Sequence, residues 1–163
     1  MIFVTVGTHE QQLNRLVEYM DKWAEVHEEE VIIQAGFSTY KPLKAKWQKL
    51  FGYKEMCKNV EDARIVITHG GPSSFIAPLQ IGKIPIVIPR QKKFEEHVND
   101  HQVKFCREVA DRQKNIIVIE DIEQLGNTIE NYESIISSMQ KRVENNNAFF
   151  CKNFENLVNE LCK

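Results

Sequence analysis

The sequence predicts an α/β protein with a single parallel sheet and helices on both faces. Three observations carry the prediction. Five short runs rich in Ile and Val read as unbroken apolar strands, the pattern of strands buried on both faces. Segments of helical periodicity separate them, which marks βαβ units, and right-handed crossovers then put helices on both sides of the sheet. The turns that follow the strands, at 7–10, 34–40, 69–74 and 90–102, lie at the carboxyl edge, where such sheets bind ligands.

The elements follow in order. Residues 2–6 (IFVTV) form the first strand, ending at Gly7. Residues 9–27 carry Leu13, Leu16, Val17, Met20, Trp23, Ala24 and Val26 near the helical period. Residues 31–35 (VIIQA) are the second strand, stopped by Gly36. Residues 37–53, with Pro42 and Gly52, predict a loop with one short helix, and 55–63 a further short helix. Residues 64–68 (RIVIT) are the third strand, running into HGGPSS at 69–74; a helix over 73–81 ends at Gly82. Residues 84–89 (IPIVIP) are the fourth strand, and 95–112 a helix with Val98, Val103, Phe105, Cys106 and Val109 as its apolar positions. Residues 115–119 (NIIVI) are the fifth strand, 121–130 a short helix, and 132–162 mostly helical with a weak break at Asn145-Asn146-Asn147.

Composition narrows the function classes. A chain of 163 residues, 42% hydrophobic and 27% charged, is one soluble globular domain with its own core. Lys plus Arg number 21 against 23 Asp plus Glu, so the net charge is −2, which argues against a nucleic-acid binder. No apolar run is long enough to span a membrane, and Met1–Gly7 does not read as a signal peptide. Cys57, Cys106, Cys151 and Cys162 include no CxxC pair and read as reduced thiols in the cytosol, with Cys106 a buried structural residue.

The turn His69-Gly70-Gly71-Pro72-Ser73-Ser74 is the strongest chemical signal. Two glycines let backbone approach a ligand, and Pro72 suits a first helical turn, where its missing N–H is harmless. Ser73 and Ser74 set hydroxyls beside free amides at a positive helix end, which cradles phosphate; a tight turn with serine capping fits the same residues. No GxGxxG follows the first strand, and no Lys-Ser/Thr follows the glycines, so neither a nicotinamide fingerprint nor a Walker loop is present. A second cluster, residues 95–102 (EEHVNDHQ), opens the next helix. There Asp100, His101 and Gln102 are placed to bond sugar hydroxyls, or simply form a solvated charged turn. His97 and His101 lie four apart, on one predicted helical face, a spacing that suits zinc, but Val98 stands where HExxH requires Glu, so no metal is expected. A third is Gly7-Thr8-His9-Glu10, in which glycine permits close approach and Thr8 can cap the helix; a capped turn without ligand fits equally.

Taken in order over residues 1–120, VTVGTHEQQLNRLVE, VIIQAG, ARIVITHGGPSSFIAPLQIGKIPIVIPR and EEHVNDHQ resemble the C-terminal domain of family 28 glycosyltransferases. The likeness is greatest to the short stand-alone form used in bacterial exopolysaccharide and capsule synthesis. That form is similar to the catalytic half of the split eukaryotic enzyme that adds the second GlcNAc to the dolichol-linked N-glycan precursor. The resemblance implies a Rossmann-like nucleotide-sugar half of a GT-B fold over 1–130 and a C-terminal helical extension over 131–163. It implies the catalytic subunit of a two-component inverting enzyme that moves a hexose from a UDP-sugar to a lipid-diphosphate-linked acceptor. No cofactor or metal is implied. The implied partner is a membrane-anchored acceptor-binding subunit, which recruits a cytoplasmic chain to the inner membrane face. A homodimer is expected in its absence. A UDP-sugar-binding subunit without catalysis, and a stand-alone sugar-nucleotide epimerase or hydrolase, are the alternatives.

Residue by residue, the resemblance assigns Gly7, Thr8, His69, Gly70, Gly71, Ser73 and Ser74 to the donor diphosphate. It assigns Asp100, His101 and Gln102 to the donor sugar, and Gln34 and Gly36 to the turn after the second strand; residues 53–56 lie near the uracil region. It departs at Ala77, where full-length relatives carry a ribose-binding glutamate. In those relatives the general base lies on the acceptor half; in this chain His9 and Glu10 are the candidates on the right rim. Phe150, Phe154, Leu157 and Leu161 form one apolar stripe at the tail, which either packs on the domain's own sheet or docks a partner.

Overall fold

The computed structural model describes residues 1–139 and 147–161. At its centre is a six-stranded, wholly parallel sheet: β1 (Ile2–Thr5), β2 (Val31–Gln34), β3 (Lys46–Gln48), β4 (Ile65–His69), β5 (Ile86–Ile88) and β6 (Ile117–Val118). Their spatial order is β3-β2-β1-β4-β5-β6. The helices are α1 (Asn14–Val26), α2 (Tyr53–Asp62), α3 (Pro72–Gln80), α4 (His101–Gln113), α5 (Leu125–Glu130), α6 (Tyr132–Ser137) and α7 (Asn147–Leu161). This is the predicted Rossmann-like α/β architecture. Among the described residues no helix is long and apolar enough to cross a membrane.

The apolar strands face two cores. Ile2, Val4, Ile33, Ile65, Ile67 and Ile86 pack with Leu16, Val17 and Met20 of α1 and with Leu125 and Ile129 of α5. On the opposite face Phe3 and Val66 meet Val60 of α2, while Val87 meets Phe75 and Leu79 of α3 and Cys106 of α4. Every residue of β1, β4 and β5 is buried, which explains why these strands read as unbroken apolar runs. Each large aliphatic side chain so buried contributes roughly 1.5–3 kcal/mol.

Several elements differ from the sequence reading. The loop predicted over 37–53 contains the edge strand β3 and no helix. Asp21 of α1 is buried and accepts the amides of Leu43, Lys44 and Ala45 and the hydroxyl of Tyr40, which holds the chain extended into β3. These bonds keep the Asp21 carboxyl below its usual range although burial pushes it up. All three β3 residues are exposed, so no apolar run announced the strand. The first helix begins at Asn14, not residue 9. Its side-chain carbonyl accepts the amides of Thr39 and Tyr40, and residues 9–12 form a turn ahead of it. The helix predicted over 95–112 begins at His101, because a 3-10 turn at Lys92–Phe94 and left-handed Glu95 (φ 57°) occupy its expected start.

The helical extension expected from residue 131 begins within the core. Tyr132 is buried, and its hydroxyl donates to the Ile84 carbonyl at 2.6 Å. Asn145, Asn146 and Cys162 lie outside the described residues, and Asn147 opens α7. Cys106 is fully buried as expected, and burial pushes its thiol up to about 12.

Candidate functional site

The strand order reverses between β1 and β4. The chain leaves β1 into α1 on one face and leaves β4 into α3 on the other, so a crevice opens between their carboxyl ends. A cleft of about 340 Å³ lies there, lined by Thr5, Gly7, Thr8 and His9 from the first turn and by His69, Ser73, Ser74 and Ala77 from the second. Gln34 at the end of β2 and Met56 and Val60 of α2 complete its wall. The turns expected to hold the diphosphate therefore meet around one cavity.

His69, the last residue of β4, is 8% exposed and lies between two glycines. A Cβ on Gly7 would come within 2.3 Å of His69 Cε1, and one on Gly71 within 2.4 Å of His69 Nε2. Gly7 also has φ +77°, in the left-handed region. Burial first, then the charge of Arg90, push the imidazole down to about 4, so it is neutral at physiological pH. His69 therefore shapes the turn after β4 without adding a cation.

Hydrogen bonds tie the strand ends together. Thr5 Oγ1 accepts the Gly7 amide at 3.2 Å and Gln34 Nε2 at 3.0 Å, and Gln34 Oε1 accepts the Phe51 amide at 3.1 Å. Across the cleft, α3 begins at Pro72 with Gly71 as N-cap and no side chain capping it. The serines are thus not capping residues. They line the cleft at a helix end whose first-turn amides lack a side-chain partner and whose dipole favours an anion.

The segment expected to hold the donor sugar is tied into the structure as follows. Asp100 Oδ1 accepts the Lys92 amide at 2.8 Å. Gln102 is buried, and its Oε1 accepts the Arg90 amide at 3.1 Å beneath Gly70. His101 is exposed, with Nδ1 at 2.5 Å from Asn99 Oδ1. None of the three lines the cleft beside Ser73. The His97 and His101 rings meet edge-on at 4.4 Å, although His97 precedes the helix, and His97 reaches within 5.8 Å of the His9 ring. Burial, with His101, His9 and Arg90 nearby, holds His97 below its ordinary value. Among the described residues no three His, Cys, Asp or Glu side chains are grouped to hold a metal ion. His9 lines the cleft with Nδ1 accepting the Gln11 amide at 3.2 Å; Glu10 is exposed in the same turn and does not line it.

Two residues that sequence reasoning left unassigned hold the site. Arg90 is fully buried; its Nη1 donates to the carbonyls of Gln11 (2.8 Å) and Gln12 (2.6 Å) and its Nη2 to that of Val6 (2.7 Å). It clamps the turn after β1 from below. Glu96 is also buried and takes both Arg15 Nε (2.8 Å) and Nη2 (3.2 Å), fixing α1 to the segment after β5. The available signal was a charged residue directly after an all-apolar strand, IPIVIP followed by Arg90. A larger groove of about 690 Å³ runs between α1 and α5; it has mixed charge, with Arg15, Lys22, Glu18 and Glu123, and none of the strand-end turns.

Fold and cleft together define a Rossmann-like α/β domain with its cleft at the strand-order reversal. The chain belongs to the glycosyltransferase family 28 C-terminal domain, which matches residues 1–161. A similar solved structure is the glycosyltransferase SnogD from Streptomyces nogalater, with a TM-score of 0.52 and 17% identity. The likeness covers 85% of this chain and 39% of SnogD, so the chain spans well under half of that protein, and it is a likeness of fold. No curated protein matches the chain.

Proposed function

We propose that this chain is the catalytic, UDP-sugar-binding subunit of a two-component inverting glycosyltransferase, transferring a hexose to a lipid-diphosphate-linked acceptor in exopolysaccharide or capsule synthesis. One observation carries most of the weight: the turns 7–9 and 69–74 meet in one cleft at the strand-order reversal, with the uncapped end of α3 at its side. A nucleoside diphosphate is the kind of anion such an end binds. As the glycosidic bond to the donor breaks, the departing diphosphate gains negative charge, and preoriented amides stabilise it without reorganisation. Because His69 is neutral, helix-end amides and hydroxyls meet that charge, and the scheme draws on no metal. Met56 and Val60 offer an apolar wall for the base. With Ala77 in place of a carboxylate, ribose falls to the Thr8, Ser73 and Ser74 hydroxyls.

Inversion needs a base for the acceptor hydroxyl. Within this chain His9 is the group best placed for it, at the cleft wall with Nδ1 accepting the Gln11 amide and no hydrogen bond to Nε2 among the described residues. A membrane-anchored partner supplies the acceptor site, and the chain works at the cytoplasmic membrane face. The test is transfer from UDP-sugars to a lipid-linked acceptor, with and without partner-bearing membranes, beside calorimetry with UDP. Transfer only in the partner's presence supports the proposal. UDP-sugar hydrolysis or epimerisation by the lone chain replaces it, and UDP binding with unchanged transfer when Gly71 is blocked reduces the chain to a silent subunit.

A further inference from the structure

We propose that the β3 edge of the sheet is a docking surface for an anionic lipid bilayer. Residues 37–54 contain Lys41, Lys44, Lys46, Lys49 and Lys54 and no Asp or Glu, in a chain whose net charge is −2. Among these lysines stand exposed apolar side chains: Phe37 (38% exposed), Leu43 (85%), Trp47 (38%), Leu50 (45%) and Tyr53 (85%). β3 is an outermost strand, so its free side faces solvent, and all three of its residues are exposed.

Charge and apolarity together select the occupant. The carboxylates on the patch are Glu25, 3.2 Å from Lys44, Glu30, 2.5 Å from Lys46, Glu55, which accepts from Gln48, and buried Asp21, which is taken up by the amides of Leu43, Lys44 and Ala45 and the hydroxyl of Tyr40. Among the described residues Lys41, Lys49 and Lys54 have no ion pair. Lys49 Nζ sits 4.4 Å over the Phe37 ring, an ammonium and an aromatic face presented together. Peripheral binding to an anionic bilayer needs this combination, with rings entering the headgroup layer and lysines remaining with the phosphates. A second copy pairing edge to edge is disfavoured, because Lys46, Lys49 and Pro42 are the residue types that blunt an edge strand.

The patch adjoins the donor cleft. The Phe51 amide donates to Gln34 Oε1, and Gln34 lines the cleft. Seating this edge on a bilayer brings the cleft mouth to the surface where a lipid-linked acceptor lies. The inference goes beyond the proposed function, which leaves membrane attachment to the partner, and it does not depend on the identity of the donor.

The full chain, without partner, is floated with phosphatidylcholine vesicles and with vesicles containing roughly one third phosphatidylglycerol. The expected result is flotation with the anionic vesicles only, lost at high salt, with a blue shift in tryptophan fluorescence. Trp23 is 8% exposed and stacked on His27, so that shift reports Trp47. The triple variant K41Q/K44Q/K49Q should lower partitioning about a hundredfold. It should leave UDP affinity unchanged; failure of the parent chain to bind UDP speaks against the donor reading, and failure of the parent chain to float speaks against this one. A chain lacking residues 147–163 should still float. No flotation, equal flotation with neutral vesicles, unchanged flotation of the triple variant, dependence on the tail, or a preference for single-stranded oligonucleotide over vesicles at equal salt would each overturn the proposal.

Discussion

The imidazole of His69 and the backbone of Gly71 exclude any side chain at position 71: a Cβ there would lie 2.4 Å from His69 Nε2. A Cβ on Gly7 would meet the same ring, 2.3 Å from His69 Cε1. Gly71→Val should therefore displace His69 and weaken UDP binding by well over tenfold while the fold survives. The two glycines differ in backbone: Gly71 has φ −80°, open to any residue, whereas Gly7 has φ +77°. Adding His69→Ala should restore part of the UDP affinity lost in Gly71→Ala but little of that lost in Gly7→Ala, where left-handed strain remains. Calorimetry on the two double-mutant cycles checks this, and equal rescue at both positions would show that His69 is not the obstacle.

The depressed imidazole of His69 also makes stability depend on pH. Its folded value, about 4, lies below the ordinary 6.5, so between these values the unfolded state binds more protons. Stability then rises with pH across that window and falls as the solution is acidified from 6.5 towards 4. The full difference is about 3 kcal/mol at 1.36 kcal/mol per pKa unit. His97 is shifted in the same direction and adds to the slope. Urea unfolding at several pH values should show a shallower acid loss in His69→Asn than in the parent chain. Parallel curves would mean that His69 does not carry the effect.

Arg90 ties three carbonyls of the β1–α1 connection to the end of β5. Arg90→Met removes the charge but leaves those carbonyls without donors, and should lower stability by about 3–5 kcal/mol. It should also loosen the turn at Gly7 and weaken UDP binding. Arg90→Lys keeps the charge but lacks the fork that reaches Val6 and Gln12 together, so it should fall between. Urea midpoints and UDP titrations of both variants measure this. A full-strength donor site in Arg90→Met would separate the clamp from the cleft.

The central strands and the glycine turns were legible because their cause is local: a strand buried on both faces reads as an apolar run, as Ile2–Val4, Ile65–Ile67 and Ile86–Ile88 do. The edge strand β3 was not, since Asp21, far away in sequence, holds it in place and its own residues are exposed. The start of α4 was obscured in the same way. Glu96 looks like a solvated first-turn residue, yet it is buried against Arg15 of α1, a contact that sequence spacing does not reveal. Gln102, read as a sugar contact, accepts the Arg90 amide through its Oε1, a bond the sequence does not announce. Long-range polar pairs thus decided what periodicity left open.

The tail offers the last prediction. Phe150, Phe154, Leu157 and Leu161 of α7 are 65%, 61%, 57% and 78% exposed, so the stripe read from the sequence is not buried in the domain's own core. Deleting residues 147–163 should shift the unfolding midpoint by no more than about 2 °C, because no described core contact is lost, and should leave UDP affinity unchanged. An apolar stripe in water is stabilised by covering it with another surface. We expect the deletion, and equally Phe154→Asp with Leu157→Asp, to abolish capture by the detergent-solubilised acceptor-binding subunit. Without that subunit, the full chain should self-associate in sedimentation while the truncated chain remains monomeric. If the truncated chain unfolds or loses UDP binding, the helix belongs to the domain core and the docking assignment fails.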